Sequence, residues 1–435
     1  MISKRIGLKL QPLKCVLLHA LVLLPAMAEA TNGYFAHGYG VRNRALAGAG
    51  VALPQDAVAA AVNPAGMAYV GSRLDLELEL FNPHRKYNVQ GQPVLAPGAF
   101  PLNPGSVESD SEYFPVPTVG WSHQLDNSQV VGVTVFGNGG MNTDYPGFAS
   151  ATCPPGGQGT FCGGRTGVDL MQLFISPSYA KSFAQGQFSL GIAPIFAVQA
   201  FKGRGFGAFA QFSSDPQHTS NTNRDFSYGA GVRIGGLVKI LPQLRLGASY
   251  KSRVFMSPFS DYAGLFAEQG DFDIPESYNL GLSWDINDSL TTAFEVEQIN
   301  YSAINSVGNS LLPNLMTAQL GNNQGAGFGW RDMTVYKFGV QWRQNAQWTW
   351  RGGVSYGEQP IPSSELLFNI AAPGVQEWHL TTGFSHALSD KNELSFSLLY
   401  SPANKVKGTN PLNPSQTIEL EMYQLAFQFA WSHRF

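Results

Sequence analysis

"EMYQLAFQFAWSHRF", residues 421–435, decides the fold. Read with a period of two, Tyr423, Leu425, Phe427, Phe429 and Trp431 fall on one face. Gln424, Gln428, Ser432 and Arg434 fall on the other. Successive side chains of a strand point to opposite sides, so one side of this strand is a row of large apolar groups. Facing water such a row is a liability; facing lipid it is expected, with Trp and Tyr at the interfaces.

The same alternation recurs back along the chain. In "RLDLELELF", residues 73–81, Leu74, Leu76, Leu78 and Leu80 oppose Asp75, Glu77 and Glu79. Further alternating segments include Glu112 to Gln124, Asp169 to Phe183, Gln243 to Met256, Phe272 to Ile286 and Lys391 to Pro402, and the tally is fourteen. Links between them alternate in length. Short ones lie at Asp126, Ala184, Leu241, Asn287, Asn345 and Ser389; long ones follow Phe81, Gly137, Phe201, Met256, Tyr301, Gln359 and Pro402. Short turns on one side and long loops on the other are the pattern of an outer-membrane barrel. The expected fold is all-β: a 14-stranded antiparallel transmembrane β-barrel, residues 72–435. Composition agrees. Of 435 residues only 13% are charged, 12% are aromatic and 48 are glycine. After residue 30 no apolar run reaches the roughly 20 residues that a membrane-crossing helix needs.

Residues 1–30 read as a signal peptide. Lys4, Arg5, Lys9 and Lys14 precede an apolar core from Val16 to Leu24, and "AMAEA" ends at Ala30. Cys15 would leave with it. The remainder carries 23 Lys+Arg and 29 Asp+Glu, a net charge of −6, which does not suggest a nucleic-acid partner. Cys153 and Cys162, in "CPPGGQGTFC", are expected to form a disulfide in an oxidising compartment. Few metal-ligating residues stand near them, so no metal site and no cofactor is expected.

Residues 31–71 do not alternate. Glycines recur at Gly33, Gly38, Gly40, Gly48 and Gly50, as tight bends need. Asp56 to Val62 could make about two turns of helix, which Pro64 would end. A fourteen-stranded barrel is too wide for its own side chains to fill, so this segment is expected to fold inside the lumen.

"NGYFAHGYG", "AGAGVALPQDAVAAAVNPAGMA" and "GNGGMNTDYPGF" resemble the FadL/TodX family of outer-membrane transporters for hydrophobic compounds. The resemblance covers the whole chain after residue 30. It implies that residues 31–71 are a hatch plugging the lumen, with Asn63, Pro64 and Ala65 as its gate motif. It implies that Tyr34 and Phe35 lie against bound substrate. It also implies a lateral opening where the third strand bends, at Gly137, Gly139 and Gly140, glycines that weaken ladder pairing as a bulge requires. An ordinary helix stop at Pro64 and the plain start of a loop at Gly137 are the bland alternatives.

A carboxylate substrate would seek lumen cations. Parity puts Lys251 and Arg253 opposite Leu246, Ala248 and Tyr250, and Lys337 and Arg343 opposite Phe338, Val340 and Trp342; Arg233 is a weaker candidate. Lumen charges commonly pair with lumen acids, and Asp75, Glu77 and Glu79 are available. The apolar loops Ala263 to Phe272 and Asn309 to Leu320 suggest a first capture site. An enzyme is not expected, since His379 and Ser385 share a strand face but stand six residues apart. The expected function is passage of long-chain fatty acids from a lumen pocket through a lateral opening, with monoaromatic hydrocarbon uptake the alternative and a general porin a weaker one. The expected setting is the bacterial outer membrane, with lipid, lipopolysaccharide and the barrel assembly machinery as partners, and a monomer.

Overall fold

In the computed structural model, which describes residues 31–435, alternation along the first strand translates into an inside-out protein. In β1 (Arg73–Gly91), Leu78 is 54% exposed while Glu77, one residue away, is 6% exposed. Apolar groups face outward and acids face inward, the polarity of a barrel in lipid. The wall continues through β2 (Phe114–Gln124), β3 (Gln129–Asn142), β4 (Gly167–Phe183), β5 (Phe188–Arg204), β6 (Asp225–Leu241) and β7 (Leu244–Lys251). It goes on through β8 (Ser277–Asp285), β9 (Leu290–Ile299), β10 (Met333–Arg343) and β11 (Trp348–Gly357). β12 (Trp378–Ala387), β13 (Asn392–Thr409) and β14 (Gln416–Arg434) complete it. Neighbours in sequence pair antiparallel, and β14 returns to β1 in a register from Arg73↔Arg434 to Gly91↔Gln416, closing the barrel. Short pieces at Gly105–Glu108 and Phe255–Met256 add to β1 and β6. Residues 1–30, which the sequence reads as a signal peptide and which include Cys15, lie outside the described residues.

Three of the short turns share one chemistry. Asp126, Asn287 and Asn345 each use a side-chain oxygen to accept backbone N–H groups two and three residues on, at 2.7 to 3.0 Å. That local bond closes a tight turn without help from the rest of the fold.

Two expectations on strand limits needed correction. β1, β13 and β14 run well past the apolar alternation, because above the stacked His84 and Tyr423 rings, 4.4 Å apart, the outward face turns polar while the backbone ladder continues. Lys86 and Lys405 hold Glu421 there at 3.1 and 3.0 Å. Conversely, the expected strand from Phe272 begins only at Ser277, since Phe272 and Ile274 turn into the buried interior.

Residues 31–65 are buried almost throughout and contact inward-facing wall residues. An irregular backbone removed from water must have its N–H and C=O groups paired, and wall side chains do this. Glu295 accepts from the Gly50 and Val51 amides at 2.9 and 2.8 Å. Ser283 donates to the Ala52 carbonyl at 2.9 Å, and Ser249 to that of Val62 at 2.7 Å. The lumen acids of β1 also meet this segment: Arg42 contacts Asp75 at 3.3 Å and Arg44 contacts Glu79 at 2.9 Å. The expected two-turn helix is instead a five-residue 3₁₀ helix, Ala57–Ala61, capped by Asp56. Pro64 does more than stop it, opening a second 3₁₀ helix, Pro64–Tyr69, where a first-position proline loses no hydrogen bond.

Candidate functional site

Asn63 is one tie between the N-terminal segment and the wall. Its Oδ1 accepts from the Ala65 amide at 3.1 Å, and its Nδ2 donates to the Val51 and Gly236 carbonyls at 2.7 and 3.0 Å. Ser189 of β5 holds the Ala65 carbonyl at 2.9 Å. Asn63→Ala removes the cap and leaves two carbonyls without that donor, each costing about 1–3 kcal/mol if water does not replace it. We expect a lower urea midpoint with an unchanged slope; an unchanged midpoint would mean that water takes over both bonds.

Tyr34 and Phe35 sit at the centre of an aromatic cluster. The Tyr34 ring lies 5.0 Å from Tyr301, 5.7 Å from Trp330, 6.0 Å from Phe272 and 5.4 Å from Phe35. Lys251 ends β7 beside them, fully buried, its Nζ 3.9 Å from the Phe35 ring centroid and 5.7 Å from that of Phe174. Among the described residues it has no hydrogen-bond or ion-pair partner. The Tyr34 hydroxyl and the Asn32 side chain are likewise buried and unpartnered.

The other cations have different surroundings. Lys337 is clamped by Glu295 at 3.0 Å and Glu297 at 2.8 Å. Arg253 leaves the strand and binds Asp273 at 2.5 Å, because β7 ends at Lys251. Arg343 keeps its parity but is exposed at the short-turn end of β10. Arg233 donates to the Val62 carbonyl at 3.0 Å. Of these lumen cations, Lys251 alone is both buried and without a partner.

Gly137, Gly139 and Gly140 frame a bulge. The β3–β4 register slips between Gly137 and Gly139, leaving Asn138 extra. Beyond it β3 bends inward to take Tyr34 as a neighbour: the Gly140 amide donates to the Tyr34 carbonyl, and the Ala36 amide to that of Asn138, both at 2.9 Å. A β-carbon at Gly139 would overlap the Tyr34 carbonyl, so only glycine permits this approach. The consequence is a break in the wall. The β2–β3 register runs only from Val119↔Val135 to Gln124↔Val130, and Phe114 to Thr118 pair with β1 alone. Pro115 and Pro117, which have no N–H to donate, suit such an edge.

The long loops enclose an apolar cavity of about 40 Å³, lined among others by Phe206, Phe209, Leu265, Phe266, Leu320 and Phe328. It draws on both loops that the sequence singles out. Phe266 lies 4.9 Å from Phe272, which connects the cavity to the Tyr34 cluster. A larger groove, about 870 Å³, opens outward over Leu190, Ile234 and Leu280 of the wall and is turned away from the lumen. Cys153 and Cys162 are joined in the loop after β3, with a Cα–Cα distance of 5.3 Å.

Asp271 lies in the loop before β8. Burial and the neighbouring Asp273 carboxylate raise it to about 7, against the opposing pull of Arg253. A carboxyl raised in the folded state favours folding when protonated, so its contribution falls as pH rises from about 4, its unfolded value, through 7. Amide exchange across residues 259–274 should therefore be faster at pH 8 than at pH 5.5, beyond the intrinsic rate, and Asp271→Asn should remove that excess. Equal excess in the variant would assign the effect to another group.

A family model described as "Outer membrane protein transport protein (OMPP1/FadL/TodX)" matches residues 22–432. The chain belongs to the FadL/TodX family. A search of curated proteins finds no match. Solved structures share the fold: the Pseudomonas putida toluene transporter TodX, 17% identical over 92% of this chain and 99% of that one, has a TM-score of 0.66. A Pseudomonas aeruginosa FadL homologue, 15% identical over 93% and 100%, has 0.67. The monoaromatic hydrocarbon channel CymD, 17% identical over 93% and 99%, has 0.58.

This FadL/TodX-family barrel is an outer-membrane protein of a transport family rather than of an enzyme family. His379 accordingly has a role other than pairing with Ser385. It lies 3.3 Å from Ser355 Oγ, which also bonds His37 of the N-terminal segment at 2.9 Å. These buried groups knit β11 and β12 to that segment. Sequence reasoning missed Tyr301, Trp330, Phe136 and Phe174 around the aromatic cluster. For Tyr301, Trp330 and Phe136 the one legible signal is a large aromatic next to a long loop, which many other positions share, and Phe174 lies in the middle of β4.

Proposed function

We propose that residues 31–71 act as a hatch and that a hydrophobic substrate with an anionic head passes beside it, long-chain fatty acids being the leading class. The observation that carries this reading is the Lys251 ammonium, buried over Phe35 with no hydrogen-bond or ion-pair partner among the described residues. A buried cation of this kind matches a carboxylate arriving with its own apolar tail. The route supported by the ring contacts starts at the loop cavity and passes Phe266, Phe272 and Tyr34. It continues past Phe174 and Phe136, 5.6 Å apart, to the unpaired edge of β2. The cavity must open in use, because about 40 Å³ is well below the roughly 150 Å³ that takes up benzene.

A second reading, uptake of monoaromatic hydrocarbons, is favoured by the apolar lining of that cavity and by the likeness to toluene channels. Paired uptake of labelled oleate and toluene, in a host lacking its own transporter of this kind, separates the two. Entry of neither above the empty host overturns the transporter reading.

The lateral exit has its own test. Gly137 faces Val116 across the gap, a β-carbon there lying 3.1 Å from Val116 Cγ1. A Val116→Cys/Gly137→Cys protein, once oxidised, should lose uptake and regain it on reduction. Full uptake by the bridged form would rule out exit between β2 and β3.

A further inference from the structure

The wall of this barrel carries glycine where a strand prefers a side chain. Gly191 pairs with Gly235 across β5 and β6, and Gly339 with Gly353 across β10 and β11. Glycine weakens a strand, and cross-strand side-chain contacts are what stabilise a sheet. Each of these glycines shares the parity of inward-facing neighbours, such as Ser189 beside Gly191 and Lys337 beside Gly339. Gly120 of β2 and Gly247 of β7 have the same inward parity.

What fills the missing volume is the N-terminal segment, its backbone at most of these positions and the Asn63 side chain at Gly235. A β-carbon at Gly191 would stand 2.3 Å from the Ala65 nitrogen, and one at Gly247 would stand 2.2 Å from the Val51 carbonyl oxygen. At Gly353 it would stand 2.6 Å from the Leu46 carbonyl carbon, and at Gly120 2.9 Å from that of Ala57. At Gly235 it would meet the Asn63 Oδ1 at 2.0 Å. The contacts therefore follow the segment from Leu46 to Ala65 around opposite sides of the lumen. All of these positions lie within six residues of the short-turn end of their strands, roughly 20 Å at strand rise. The unpaired edge of β2 lies beyond them, toward the long loops.

We infer that these inward glycines form a socket that positions the N-terminal segment and seals the short-turn half of the barrel against water and solutes. The inference rests on the hatch reading and deepens it, since it names the wall positions that hold the hatch closed. A seal made by backbone seated on glycine leaves no side-chain slack around it, so passage is diverted to the β2–β3 edge above.

The outward neighbours on the same strands supply the control. At Gly236 a β-carbon would meet nothing nearer than the Leu190 side chain at 3.6 Å, and at Gly352 nothing nearer than the Thr381 carbonyl at 3.6 Å. The experiment measures ionic conductance of purified full-length protein in planar bilayers, with folding checked by the heat-dependent shift on gels. Gly235→Ala and Gly353→Ala are expected to raise open-channel events roughly tenfold, the size that a typical overpacked methyl group gives. Gly236→Ala and Gly352→Ala should stay as silent as the parent. Folded inward variants that remain silent, or outward variants that leak equally, overturn the socket. Should Gly235→Ala fail to assemble, Gly120→Ala, whose β-carbon would stand 2.9 Å from the Ala57 carbonyl carbon, is read in its place by the same rule. Oleate or toluene uptake by the parent is read separately, so a silent Gly235→Ala beside normal uptake sinks the socket and leaves transport standing.

Discussion

Lys251→Met is expected to lower oleate uptake about ten- to a hundredfold at limiting substrate while making the empty protein more stable. The two effects have one cause. The ammonium is buried over the Phe35 and Phe174 rings, with no hydrogen-bond or ion-pair partner among the described residues to offset its lost hydration. Cation–π contact recovers about 2 kcal/mol at a dry site, less than a buried ion loses. Methionine keeps the length and removes the charge, so the fold gains. A carboxylate substrate loses a charge-assisted bond worth about 1.5–3 kcal/mol, which sets the stated range. Toluene has no use for the charge and should enter as before. Urea titration and paired uptake read the two arms. If stability falls while oleate uptake holds, Lys251 is a structural residue and the anionic-substrate reading loses its basis. Lys337→Met provides the contrast: it strands Glu295 and Glu297, so it should destabilise by about 3–5 kcal/mol, as broken buried pairs do.

Arg42→Met is expected to release the N-terminal segment from the wall. The Arg42 guanidinium, 2% exposed, reaches Glu393 at 2.8 Å, Asp56 at 3.1 Å and Asp75 at 3.3 Å, and donates to Ser432 at 2.7 Å. It thus joins the segment to β1, β13 and β14, the strands across which the barrel closes. Without it Asp56 stays buried and Glu393 half-buried close to Asp75, whose one remaining ion pair among the described residues is with Arg73 at 2.7 Å. Removing one partner of a buried ionic cluster costs about 3–5 kcal/mol, enough to populate an unseated segment in a marginally stable assembly. Trypsin should then cut at Arg44, buried in the parent, while the barrel keeps its heat-dependent gel shift. Resistance equal to the parent would show that the glycine contacts suffice without this ion cluster.

Much of the fold was legible because one face of every strand meets lipid. Leu74 to Leu80 and Tyr423 to Trp431 had to alternate, and the short turns had to carry residues such as Asp126 and Asn287 whose side chains close them. Alternation failed as a guide where lipid no longer selects, as in the upper reaches of β1, β13 and β14. The candidate site was less legible. Parity could say that Lys251 and Lys337 face the lumen, but both facts are local to one strand. That Lys337 meets Glu295 and Glu297 from β9 while Lys251 meets aromatic rings depends on which strands and which part of the N-terminal segment arrive opposite them.

The sequence by itself determined the strand number, the inside-out polarity and the existence of an irregular segment ahead of β1. Each follows from side-chain periodicity and turn chemistry within a few residues of chain. Only the tertiary structure decided which cation is left without a partner, where β2 and β3 part, and why glycine stands at Gly191, Gly235, Gly339 and Gly353. Those are contacts between residues far apart in the chain, and a glycine pressed against distant backbone reads, in sequence, like any other glycine.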